Sequence, residues 1–153
     1  MAAASPAARD LEKLGENRFK VEIDPKVQIG EFRECTGLSV EREILEYTEG
    51  GNNDFVHKLP GRVKFPNLVL KRGITDQKKL LKWFWDTRSN PKLATVTVTL
   101  VDATGNQQAR VWSFERAYPV KWAGPNLNAG SDSAATETLE IAHGGFAGGK
   151  VEF

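Results

Sequence analysis

The sequence predicts a mainly β domain, an antiparallel sandwich or barrel with one flanking α-helix. Three observations predict it. "RFKVEI" alternates, with Phe19, Val21 and Ile23 on one face and Arg18, Lys20 and Glu22 on the other. About seven such strand-like runs are separated by clusters of Gly, Pro, Asn and Asp. Only "DQKKLLKWFWDTRSN" carries a helical period.

Taken in order, the opening "MAAASPAARD" reads as a disordered tail over residues 1–10, followed by a single domain over 11–153. After "RFKVEI" and the break at "DPK", strand-like residues gather around Phe32 and again from Val40 to Tyr47, with Gly37 between them. "GRVKFPNLVLKRG", Gly61 to Gly73, reads as one further strand in which Pro66 marks a bulge or an edge. Thr75 is the expected cap of the helix, and Leu80, Leu81, Phe84 and Trp85 form its apolar stripe. Trp83 falls off that stripe and is expected to cover a sheet edge or a neighbouring subunit. "ATVTVTLVD" and "ARVWSFERAYPVKW" then form a hairpin turning near Gly105 and Asn106, and "TETLEIAHGGF" is the last strand.

Composition narrows the function. At 153 residues with a net charge of +1, from 21 basic and 20 acidic residues, the chain has no overall field to hold a polyanion. It has no apolar run long enough to cross a bilayer as a helix, so membrane insertion is not expected. Its start lacks the charged and apolar regions of a secretory signal, which predicts assembly in the cytoplasm. Cys35 is the only cysteine, so neither an intramolecular disulfide nor a cysteine-based zinc site can form.

Catalytic and cofactor motifs are weak. Asp54, His57 and His143 could hold a metal only if distant segments converged, and no HExxH pattern supports it. "EGGNND" is glycine-rich, yet opens no helix and lacks a following GK[ST], so it is not a phosphate cradle. Cys35 has no histidine nearby, and Ser39, Ser89 and Ser113 lack a nucleophile elbow. No enzyme and no cofactor are expected. A metal-dependent hydrolase on His57, Asp54 and His143 is the remote alternative, and a monomeric β-barrel ligand-binding module is another.

The stronger signal is a long charged hairpin. Glu41, Glu43, Glu46 and Glu49 precede the loop, and Arg62, Lys64, Lys71 and Arg72 follow it. Antiparallel pairing sets acids against bases, and these side chains are candidates for a wet channel or a subunit contact.

The order "NRFKVEID", "ECTGLSVEREILEYTEGGNNDF", "KLPGRVKFPNLVLKRG", "LLKWFW", "VTLVDATGNQQARVWSFERAYPVKW" and "TETLEIAHGGF" resembles the tail tube proteins of contractile phage tails and extracellular contractile injection systems. The resemblance covers nearly the whole chain. It implies six copies closing into a ring, rings stacking into a hollow tube within a sheath, and protein or DNA cargo in the lumen. Sheath and baseplate proteins are the implied partners, and a phage tail or injection particle the implied location. The hexameric tube protein of a type VI secretion apparatus is the nearest alternative. The resemblance also implies that the hairpin tip reaches the adjacent ring, through Glu49, Gly50, Gly51, Asn52, Asn53, Asp54, Phe55, Val56, His57 and Lys58.

Overall fold

The computed structural model describes residues 18–24, 27–51, 53–74, 78–101, 108–130, 132 and 134–147. Among these, nine strands and one helix follow one another: β1 Arg18–Ile23, β2 Val27–Phe32, β3 Glu34–Thr36, β4 Glu41–Tyr47, β5 His57–Lys64, β6 Leu68–Gly73, α1 Lys79–Asp86, β7 Ala94–Val101, β8 Gln108–Ala123 and β9 Thr136–Ala142. The expected tail, the Thr75 cap and the turn at Gly105 and Asn106 lie outside the described residues.

Seven strands form the body in the order β2-β1-β7-β8-β9-β6-β3, all antiparallel. The arrangement is a sandwich rather than a closed barrel, and β8 belongs to both halves. From Gln108 to Ala117 it pairs with β7, and from Tyr118 to Ala123 with β9. The bend between the halves has a local cause. Arg116 adopts a left-handed φ of 53°, costly for a residue with a Cβ, and the β7 ladder slips in register beside it. Pro119, which cannot donate to a ladder, sits next to a second slip. A strand broken this way can turn from one sheet into the other.

Alternation places one side chain in two inside. Val21 and Ile23 pair with Val98 and Val96, and Leu68 and Leu70 pair with Ile141 and Leu139. These residues, with Ile29, Phe32, Phe114 and Leu80, form one buried cluster. A charged crosslink spans it. On β6, Arg72 is 3% exposed, donates from Nε to Glu137 Oε1 at 2.5 Å and from a guanidinium nitrogen to the Ile29 carbonyl at 3.1 Å, and lies over the Phe32 ring. Trp122 Nε1 donates to the other Glu137 oxygen at 3.1 Å. A buried pair with its remaining positions satisfied holds β2, β6, β8 and β9 in one arrangement.

Three sequence expectations are corrected here. The run from Gly61 to Gly73 is two strands, since Phe65, Pro66 and Asn67 interrupt it and send β5 and β6 into different sheets. Lys71 and Arg72 therefore lie off the hairpin: Lys71 bonds Glu34 across β3 at 3.1 Å, and Arg72 is in the core. The segment around Phe32 likewise divides into β2 and β3, as Arg33 steps between the two halves and donates its N–H to the Lys71 carbonyl. On α1 the inner face is Leu80 and Trp83, three residues apart, and Trp85 points outward at 60% exposure beneath the Arg88 guanidinium. Eight residues admit two readings of an apolar stripe, and contact with the sheet selected the other one.

Candidate self-association surface

Among the described residues β4 and β5 pair only with each other and form a separate two-stranded sheet. The chain leaves the body for this hairpin through Gly37, whose φ of 92° suits glycine. A methyl group there would stand 2.1 Å from the Asn67 carbonyl oxygen, so the hairpin's exit and return are clamped together.

The register sets Glu41 opposite Lys64, Leu45 opposite Leu59, Glu46 opposite Lys58 and Tyr47 opposite His57. Alternation then groups Leu45, Tyr47, His57 and Leu59 on one face, with Ile44 and Pro60 on the other. Phe55 meets the His57 ring edge-on at 4.8 Å. Acidic and basic residues do face each other near the base, where Lys64 pairs with Glu43; that hydrogen bond and charge hold the lysine pKa above its ordinary value. Glu49 lies 3.7 Å from His57 near the tip.

The charge was legible in the sequence, as were the apolar Phe55 and Val56 at the tip; the apolar surface of the two strands was not. Ile44, Leu45, Tyr47, Phe55 and Leu59 are all more than half exposed, and Val40 and Val56 are exposed beside them. Because Ile44 and Leu45 are adjacent, they fall on opposite faces and blur the alternation that would have marked a single apolar face. A two-stranded hairpin is marginal alone in water, and exposed apolar patches of this kind mark contact surfaces.

The candidate chemistry is dispersed. His57 and Asp54 are on the hairpin, whereas His143 follows β9, accepting the Gly145 N–H at Nδ1 and so donating from Nε2 to the Pro66 carbonyl at 3.0 Å. Burial against Phe65 and Phe114 lowers its pKa, with the Pro66 bond partly opposing. Among the described residues no three His, Cys, Asp or Glu side chains gather as a metal site. Cys35 packs against the core, and burial pushes its thiol up to about 11, away from thiolate reactivity. Among the described residues no helix is long and apolar enough to cross a membrane.

A self-contained sandwich that projects an apolar hairpin defines a subunit built to meet other chains. Residues 15–147 match the family described as T4-like virus tail tube protein gp19, and the chain belongs to that family. No curated protein sequence matches it. The fold is similar to a chain of the cryo-EM structure of an extracellular contractile injection system, the PVC sheath-tube complex in its extended state. The TM-score is 0.76 at 22% identity, covering 95% of this chain and 97% of that one. A chain of the anti-feeding prophage (AFP) baseplate gives 0.72 at 24% identity, covering 96% and 95%. A type six secretion system protein gives 0.56 at 14% identity, covering 82% and 78%.

Proposed function

We propose that the chain is the repeating structural subunit of the inner tube of a contractile injection system or phage tail. Six copies close a ring, rings stack, and the lumen conveys protein or DNA cargo. Assembly takes place in the cytoplasm, on a baseplate and within a sheath, and the work of the tube is mechanical, with no catalytic step. The observation that carries this reading is the β4–β5 hairpin, whose apolar residues stay exposed while the body beneath it encloses a buried core of its own. Membership of the tail tube family supports it.

The physical logic is that a head-to-tail contact which closes makes a ring and leaves two faces for stacking. Joining strand edges between copies covers backbone groups that would otherwise pair indiscriminately. Many modest contacts repeated along a tube add up to a rigid object. In this proposal residues 49–58 reach the adjacent ring, with Phe55 and Val56 buried there. Glu41, Glu43, Glu46, Arg62 and Lys64 lie on the lumen or a subunit boundary.

Negative-stain electron microscopy across a concentration series, paired with mass in solution, tests the assembly. Sixfold rings or hollow tubes are expected. A chain that remains monomeric throughout, with baseplate and sheath partners supplied, overturns the reading in favour of a ligand-binding module. Phe55→Asp is expected to abolish stacking while leaving the fold intact; unchanged tubes would remove the tip from the interface.

A further inference from the structure

Beside α1 lies a groove of about 530 Å³, bounded by the ends of β1, β2 and β7. Ile23, Ile29 and Trp83 supply its apolar wall, and Lys79, Lys82 and Lys92 its rim. The volume falls within the range of sites that hold a side-chain cluster or small ligand, roughly 300–1,000 Å³. Asp24 and Asp86 also border it, but Asp24 is turned to the backbone, accepting the Thr95 N–H at 3.2 Å. The lining thus carries three lysines against Asp24 and Asp86, and Lys79 Nζ donates to the Gln28 carbonyl at 3.3 Å, which leaves Lys82 and Lys92 as the rim's cations towards a ligand.

The hairpin tip has the complementary character. Residues 46–58 carry Glu46, Glu49 and Asp54 against Lys58 alone, and Phe55 and Val56 are exposed among them at 56% and 43%. We propose that the hairpin tip of one copy, with Phe55 as its apolar anchor and Glu49 beside it, docks into this α1 groove of a second copy. The proposal rests on the tube reading and supplies the receptor for the tip. Apolar contact provides the affinity, and lysines around an acidic segment set the register and favour correct encounters. Since groove and tip share no residue, every copy offers both halves, and the contact is head-to-tail and propagates.

Site-directed cross-linking tests it in the full chain, with Cys35→Ser as background. Phe55→Cys chains are mixed with Lys82→Cys chains, assembled and oxidised; a disulfide requires the two Cβ atoms to come within about 4.5 Å. The expected result is a 55–82 dimer exceeding, by about tenfold, that from Phe55→Cys mixed with Arg110→Cys, as the high effective concentration of a docked pair requires. Tubes that form without this bond, or whose residue 82 thiol stays open to a maleimide, overturn the groove and leave the tube reading standing. Persistent monomers of the unsubstituted chain overturn both. A charge swap reads the same contact without a thiol: Lys82→Glu is expected to weaken assembly and Glu49→Lys to restore it. Losses that simply add in the double variant overturn the docking.

Discussion

The body and the β4–β5 hairpin use the same kinds of residue to opposite ends. In the body Val21, Val96, Val98, Leu68 and Ile141 are wholly buried, each against side chains of the same molecule. On the hairpin Leu45, Leu59 and Ile44 are more than half exposed, and among the described residues β4 and β5 pair only with each other. The body encloses its own core, whereas the hairpin keeps much of its apolar surface exposed, and under the proposed function other copies cover it. The proposed function thereby assigns stability and assembly to separable parts of one domain.

That separation can be broken most severely through the buried ion pair. Arg72→Ala leaves Glu137 charged in the core and is expected to destabilise the chain by about 3–5 kcal/mol in denaturant unfolding. Arg72→Met with Glu137→Leu removes both charges and is expected to recover most of that loss, within the scatter of volume-conserving changes. A double variant as unstable as the single one would mean that the hydrogen bonds to Ile29 and Trp122, rather than the unpaired charge, set the cost. On the hairpin the expectation reverses. Leu45→Ser with Leu59→Ser should shift dissociated-chain stability by no more than about 0.5 kcal/mol per site, yet abolish tubes in sedimentation; a large stability loss would show that the hairpin supports the body.

A smaller effect concerns His143, at the hairpin's return. Its folded-state pKa is lowered from 6.5, so the unfolded chain binds more protons as the solution acidifies. The stability from its neutral ring is complete above about 6.5 and declines as pH falls through that value towards the folded pKa. His143→Gln should flatten melting temperature against pH in that window; an unchanged slope would assign it to another group. Smallest of all is the exposed Lys64–Glu43 pair. Lys64→Met is expected to leave the melting temperature of the dissociated chain unmoved, and a clear drop would show that the hairpin base is stabilised by its charges.

Much of the body was legible because alternation is a short-range signal. "RFKVEI" becomes β1 with Val21 and Ile23 buried, and "TETLEIA" becomes β9 with Leu139 and Ile141 buried. Long-range pairings were not legible. Arg72 looks like a surface base until Glu137, 65 positions away, is placed beside it. The bend at Arg116 has no glycine to announce it, and the exchange of Trp83 for Trp85 on the inner face of α1 depended on the sheet it packs against. For the hairpin, the charged pattern was readable but the apolar excess was hidden between two faces. The hairpin tip was approached through family resemblance; the groove beside α1 is built from residues 23 to 94 and has no local motif.

The strand order also fixes a sequence in time. β2 and β3 are neighbours along the chain yet stand at opposite ends of the seven-strand order, so the body closes only after β7, β8 and β9 are available to lie between them. Such distant pairings form slowly, whereas a hairpin of adjacent strands closes in microseconds. During synthesis, β4 and β5 emerge before β9 and can pair without it. The exposed apolar residues of β4 and β5 are therefore synthesised before the strands that complete the body, and a chain stalled ahead of Thr136 would present them with no completed body behind.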